Sequence, residues 1–144
     1  MIFIIVTSVI LLDQATKFIA VRFLQLNTPV PLIKNFLNLT LVHNRGAAFG
    51  IFQNQLLLFV LVSLFAIGFI FCNLRSKANS GLLKLTLSLI LGGAIGNLID
   101  RLRFGFVIDF LDLRIWPVFN LADSVITIAA LVLTWELLFN KNAA

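Results

Sequence analysis

The chain has 144 residues, 60% of them hydrophobic and only 12% charged, with a mean hydropathy of +1.07. Soluble domains carry about a quarter charged residues, so this composition excludes an ordinary water-soluble fold and calls for an integral membrane protein of single-domain length. The formal charge of +5, eleven Lys and Arg against six acids, meets anionic headgroups rather than nucleic acid, because no basic cluster is interleaved with aromatics.

A transmembrane helix needs roughly 20 mostly apolar residues, and four stretches qualify. The first, residues 1–26, is apolar except for Asp13, Gln14, Lys17 and Arg22. It has no basic leader and no small-residue cleavage site, which reads as a retained helix and not a removable signal peptide. Residues 27–44, "NTPVPLIKNFLNLTLVHN", open with helix-breaking prolines and then alternate Leu37, Leu39 and Leu41 with Asn38 and Thr40. That period of two predicts a half-buried strand or hairpin arm. Residues 51–72 form the second helix, and "NLRSKANS", residues 73–80, a short basic connection. Residues 81–99 form the third. Residues 100–118, "DRLRFGFVIDFLDLRIWPV", mix charge with aromatics around Gly105 and Pro117, which predicts an interfacial strand and turn or a short amphipathic helix. Residues 121–139 complete the set. There is no internal repeat.

Four crossings put both termini and the 73–80 loop on one side, and the 27–50 and 100–118 connections on the other. Asp100, Asp109, Asp112 and Asp123 then meet at one face, Asp13 approaches it from within the first helix, and Glu136 alone lies near the opposite face. Intramembrane acids are costly and mark function by default. Orientation does not follow from charge. The positive-inside rule counts Arg75, Lys77, Lys84 and Lys141 on one side against Lys17, Arg22, Lys34, Arg45, Arg101, Arg103 and Arg114 on the acidic side. Cys72 is the only cysteine and His43 the only histidine, which rules out an intrachain disulfide and a zinc site of several His or Cys ligands.

Four polar signatures fall on the acidic side. In "LLDQATK", Asp13 and Lys17 are four apart on one helical face, either a packing pair or part of a site. In "HNRGAAFG", Gly46, Ala47, Ala48 and Gly50 allow close backbone approach, while Asn44 offers a donor and an acceptor at a strand end. In "LGGAIGNLIDR", Gly92 and Gly96 form a small-residue packing face, and Asn97, Asp100 and Arg101 project together where the helix emerges. Asp100 and Arg101 contribute structural hydrogen bonds, or Asn97 and Arg101 hold carbonyls of a bound chain. Finally "GFVIDF" carries Asp109 and "FNLADS" carries Asn120 and Asp123, with Trp116–Pro117 between them. Asp123 can serve as a helix cap. It can also face Asp109 across the proline turn, and two such carboxylates cannot both ionise easily, so the pair can polarise a water.

These five motifs, "DQATK", "HNRGAAFG", "GGAIGNLIDR", "GFVIDF" and "FNLADS", in this order and spacing, closely resemble lipoprotein signal peptidase, the signal peptidase II family. The resemblance spans nearly the whole chain. It implies an all-α membrane protein of the bacterial inner membrane: four transmembrane helices, an extracytoplasmic β-cradle over about residues 27–50, and a short periplasmic helix and loop after Arg101. It also implies an aspartic endopeptidase, without metal or cofactor, that cleaves diacylated prolipoproteins before the lipidated cysteine at the periplasmic face. Asp109 and Asp123 match the family's catalytic pair, and Asn44, Asn97, Arg101 and Asn120 its substrate and inhibitor groove. Asp13, Lys17, Gly46 and Asp100 match supporting positions. The partners implied are prolipoproteins, membrane lipids and cyclic peptide antibiotics. A proton- or ion-coupled transporter using the same carboxylates is the alternative, although its expected repeats of broken helices are absent.

Overall fold

The structure, a computed structural model, describes residues 1–46, 52–76 and 80–139. The elements run α1 (Ile2–Phe23), β1 (Val30–Ile33), β2 (Leu37–Asn44), α2 (Leu56–Leu74), α3 (Gly81–Phe104), β3 (Val107–Asp112) and α4 (Leu121–Phe139). Three described helices, α1, α2 and α3, are long and apolar enough to cross a bilayer. The sorting of side chains is inverted relative to a soluble domain. Phe3, Phe18, Phe65 and Trp135 face outward, while the largest side chains with almost no exposure are Lys17, Asn120, Thr86, Asp13, Asp100, Asp109 and Ser88. A hydrocarbon exterior explains both halves of that pattern: apolar groups lose nothing outside, and polar groups must find partners within.

Helix α3 is the hub, packed against α1, α2 and α4, and its glycines set the distances. A Cβ on Gly92 would lie 2.8 Å from Val9 Cβ of α1, and one on Gly96 would lie 2.5 Å from Asp13 Oδ2 of the same helix. The anticipated small-residue face is therefore the α1–α3 seam. Gly93, one position on, faces α4, where its Cβ would come within 2.9 Å of the Ala122 carbonyl oxygen. Because Asp13 is held by an ion pair and by a backbone N–H, it cannot retreat from a methyl group. Gly96→Ala is expected to lower the thermal midpoint in detergent by several degrees, consistent with overpacking of about 1–3 kcal/mol. Gly68→Ala on α2, with nothing within 4 Å, should be neutral or stabilising, as helix propensity favours Ala. Equal midpoints for the two variants would contradict the seam.

The strands form one antiparallel sheet in the order β1-β2-β3. Pro31 is tolerated because β1 is an edge strand. Ala20, Leu41, Ile108 and Phe110 fuse the sheet to the end of α1, and a second apolar cluster of Ile70, Leu74, Leu87 and Leu91 closes the far end of the bundle.

Several boundaries differ from those read in the sequence. The first helix stops at Phe23 and not residue 26, because Leu24 is extended and Leu26 bridges to Leu41. Helix α2 begins at Leu56, after Phe52 and Asn54 take left-handed backbone conformations (φ 55° and 63°). Helix α3 does not end at residue 99. It continues through Phe104, where Gly105 at φ 78° caps it, with Arg101 and Arg103 in its last turn, both favourable at a C-terminus. The separate helix expected after Arg101 is not formed there: the chain passes from α3 directly into β3, which adds a third strand to the sheet. Ala47, Ala48, Gly50, Lys77 and Lys141 lie outside the described residues.

Candidate active site

Strand β3 presents Asp109 on its buried side, opposite Val42 of β2. After β3 the chain bends through residues 114–116, where Asp112 Oδ1 accepts from the Arg114 N–H at 2.8 Å and Arg114 sits at φ 67°. It then returns past Pro117 so that Phe119 bridges Leu111. That return sets Asn120, the cap of α4, directly against Asp109.

The mouth of α4 is a reciprocal capping box. Asn120 Oδ1 accepts from the Asp123 N–H at 2.9 Å, and Asp123 Oδ2 accepts from the Asn120 N–H at 3.3 Å. A further helix-terminal donor, Ala122 N–H, goes to Asp13 Oδ1 of α1 at 3.0 Å. The caps dictate how the neighbouring amides are turned, because each amide oxygen is engaged elsewhere. With its oxygen on Asp123 N–H, Asn120 donates from Nδ2 to Asp109 Oδ1 at 2.7 Å and to Asn97 Oδ1 at 3.0 Å. Asn97 Oδ1 also accepts from Lys17 Nζ at 2.9 Å, so its Nδ2 faces Asp123 Oδ1 at 2.8 Å. Asn44 Oδ1 accepts from the Gly46 N–H at 2.9 Å and its Nδ2 donates to Asp109 Oδ2 at 2.8 Å.

Behind these amides lies a buried ion triad. Lys17 Nζ is 2.8 Å from Asp13 Oδ2 and 2.8 Å from Asp100 Oδ2, and Asn97 takes its third donor. Asp100 also accepts from the Ile108 N–H at 3.1 Å and from Gln14 Nε2 at 3.0 Å. Asp13, Lys17 and Asp100 thus hold α1, α3, β3 and α4 in register and do not line the site.

Asp109 and Asp123 line one cavity of about 270 Å³, together with Asn44, Gly46, Asn97 and Arg101. The Arg101 guanidinium lies 5.2 Å over the Phe59 ring of α2. Asn120 is fully buried behind the cavity, with its carbonyl oxygen and amide hydrogens committed to protein groups, so it orients Asp109 and offers nothing to a ligand. Asn97 borders the cavity but is likewise engaged on both ends of its amide. Among the residues expected to bind, Asn44 and Arg101 have the most open positions.

The Asp109 carboxyl is pushed up to about 7, first by burial and then by the negative charge of Asp123, against the hydrogen bonds of Asn44 and Asn120. The folded protein therefore keeps this proton to about pH 7, whereas the unfolded chain gives it up near its ordinary value of 3.8. The site accordingly lowers stability progressively from about pH 4 to 7 and carries its full cost above that.

On either side of the pair the surroundings differ. Towards Asp109 a cavity of about 330 Å³ is lined by His43, Asn44, Arg45, Gln53 and Asn54. Towards Asp123 another of about 330 Å³ is lined by Leu113, Trp116, Phe119, Ser124, Thr127 and Ile128. Burial, then the Arg45 charge, holds the His43 imidazole below its usual range, and its ring stacks on Phe106 at 4.0 Å. Asp112 lies on the same side but outside the cavity of the acid pair, where it closes the sheet by accepting from Thr40 Oγ1 at 2.8 Å. Gln14 and Phe59 carry roles that the sequence reading missed. Gln14 was legible, since it sits inside "DQATK" at a depth where an amide needs partners.

The chain matches the family model for signal peptidase (SPase) II over residues 5–139. It is 47% identical over 133 residues to the lipoprotein signal peptidase of Halothermothrix orenii, covering 92% of each chain. With that of Moorella thermoacetica it shares 50% over 131 residues, covering 90% of this chain and 87% of the other. A bacterial membrane enzyme solved at 2.3 Å superposes with a TM-score of 0.90 at 31% identity, over 99% of this chain and 92% of that one. These likenesses are to signal peptidases and to a membrane enzyme, and they lend the transporter alternative no support. By the family model and by its curated relatives, the chain belongs to the signal peptidase II family.

Proposed function

We propose that the chain is an aspartic endopeptidase, cleaving diacylglyceryl-modified prolipoproteins just before the lipidated cysteine, with Asp109 and Asp123 as its catalytic pair. The observation that carries this is their shared cavity at the junction of β3 and the start of α4. In this reading α4 is a fourth crossing, its 19 residues spanning about 28 Å, and the pair faces the extracytoplasmic side of the bacterial inner membrane. One carboxylate, ionised, takes a proton from water; its protonated partner donates to the scissile carbonyl. The gem-diol collapses, the C–N bond breaks and the amine leaves with the returned proton. Since the two acids titrate together, the proton is assigned to the pair. Asn97, Asn120 and Asn44 orient the carboxylates, and Arg101 serves the carbonyls of the bound chain. The family's cyclic peptide antibiotics would occupy the same groove.

The test is a gel-shift assay with purified protein in lipid. A diacylated prolipoprotein should be cleaved and its unlipidated precursor left intact, with EDTA making no difference. Inhibition by EDTA that added zinc reverses, or equal cleavage of the unlipidated form, would overturn the reading. The pair also predicts a pH profile. With Asp109 near 7, kcat/KM should fall about tenfold per unit above roughly pH 7 as the shared proton is lost. A profile flat to pH 9 would contradict it.

A further inference from the structure

Arg101 is the one cation among the described residues that lines the cavity of the two carboxylates, and the negative charges of Asp123, Asp109 and Asp100 all attract it. Yet no carboxylate holds it: among the described residues the ion pairs are those of Lys17. What lies against the guanidinium is the ring of Phe59, its centroid 5.2 Å away. Phe59 stands in the first turn of α2, three positions on from Leu56, and residues at that spacing share a helical face. Leu56 Cδ2 would lie 3.9 Å from a Cβ at Gly105, so this face is set against the end of α3 and helix packing places the ring. The acids, meanwhile, are engaged elsewhere. Both oxygens of Asp109 accept from Asn44 and Asn120, and both oxygens of Asp123 from Asn97 and the Asn120 N–H.

We propose that Phe59 is a positioning residue, its ring holding the Arg101 guanidinium beside the acid pair but out of ion-pair contact, so that its donors stay free for a carbonyl of the bound chain. The inference rests on the proposed function and deepens it with a residue that stands outside the lining of the cavity. An aromatic face suits this task for a chemical reason. It attracts a cation through its π-cloud and consumes none of the N–H donors at the guanidinium edge. A carboxylate within reach would take two of those donors at once. The arginine would in turn fix that carboxylate in its ionised form, and a pair that must hold one proton would lose it at a lower pH. With an aliphatic side chain at position 59 nothing counters that attraction, and the guanidinium turns towards Asp123. The cation then serves the enzyme's own acid and not the substrate.

The experiment compares two aliphatic variants, Phe59→Leu and Phe59→Met, with Phe59→Tyr, which keeps the ring, on a diacylated prolipoprotein in lipid nanodiscs. Whichever aliphatic variant folds should raise KM about tenfold, as loss of a charge-assisted hydrogen bond does. It should also move the alkaline limb of kcat/KM down by about one pH unit, the effect of a nearby opposite charge. Phe59→Tyr should keep both at the parent's values. The other charges that face the pair are Asp13 and Lys17 from α1, His43 and Arg45 at the end of β2, and Asp100 and Arg101 from α3; α2 brings none. Of these, Arg101 is the one that lies over the ring, so in an Arg101→Gln background Phe59→Leu should move the limb no further. An unmoved limb in the folded aliphatic variants, or an equal shift with and without Arg101, would overturn the proposal. As a second arm, carbon-13 NMR of carboxyl-labelled aspartate follows the Asp109 titration without substrate, and its midpoint should fall by about one unit in Phe59→Leu. The two readings fail separately: parent protein that never cleaves, with a midpoint that moves in the variant, sinks the peptidase reading alone, and cleavage with an unmoved midpoint sinks the role of Phe59 alone.

Discussion

Asp109→Asn and Asp123→Asn are each expected to reduce cleavage by about 10⁴-fold, the upper end of what general acid–base catalysis contributes, while leaving the protein folded. The double variant should be scarcely worse than either single one, since residues acting as a unit are not additive. The hydrogen bonds explain why folding survives. At position 123 an Asn oxygen can still accept either from Asn97 Nδ2 or from the Asn120 N–H, and the other half of the capping box, Asn120 Oδ1 to the Asp123 N–H, is backbone-based and untouched. At position 109 the amide meets two donors, Asn44 Nδ2 and Asn120 Nδ2. One of these must turn away, and Asn44, at the partly open end of β2, is better able to do so. Against that loss stands a gain: Asn cannot ionise, so above about pH 7 the variant escapes the cost of a buried charge. Asp109→Asn should therefore unfold at a higher temperature relative to the parent at pH 8 than at pH 5. Either single variant retaining full activity would remove the pair from the mechanism.

Lys17→Met should be the most damaging substitution for stability. It keeps the length of the side chain but strips the cation from between Asp13 and Asp100, both fully buried. Breaking a buried ion pair by removing one partner costs about 3–5 kcal/mol, against a net stability of about 5–15 kcal/mol for a typical domain. The expected outcome is poor yield and loss of a cooperative thermal transition in detergent. Adding Asp100→Asn to Lys17→Met should restore part of it, since one uncompensated charge is gone while Asn can still accept from the Ile108 N–H. If Lys17→Met alone unfolded at the parent's temperature, the triad would not be what joins α1 to α3. Activity should fall beyond what stability explains, because Lys17 also keeps the oxygen of Asn97 turned away from Asp123.

Much of this arrangement is legible in the sequence because it depends on short-range spacing. The Asp13–Lys17 pair is an i, i+4 contact, Gly92 and Gly96 are one turn apart, and the alternation over residues 37–41 is that of β2. What stayed hidden depends on partners far along the chain. "DRLRFG" reads as a loop because it is charged, yet a helix that has left the hydrocarbon tolerates charge, and the decisive sign was Gly105, the left-handed cap. Asp112 looks solvated until β3 is placed beside β2, where it meets Thr40. The reading of Asp13–Lys17 as a packing pair and that of Asp123 as a cap were both realised, and for Asp123 the two roles coexist: it joins the capping box and lines the cavity with the same carboxylate. The adverse charge count also changes character. Lys17 is not a loop charge but the centre of the triad, and Arg101 lies against Phe59 at the cavity edge, so neither bears on topology as the positive-inside rule counts it.

The most direct test of the central claim, that the two carboxylates act on one atom, is a crystal structure with a bound peptide bearing a hydroxyl in place of the scissile carbonyl. The hydroxyl is expected within about 3 Å of one oxygen from Asp109 and one from Asp123 simultaneously. A bound peptide whose hydroxyl reaches only one of them, with the other carboxylate turned from the cavity, would contradict it.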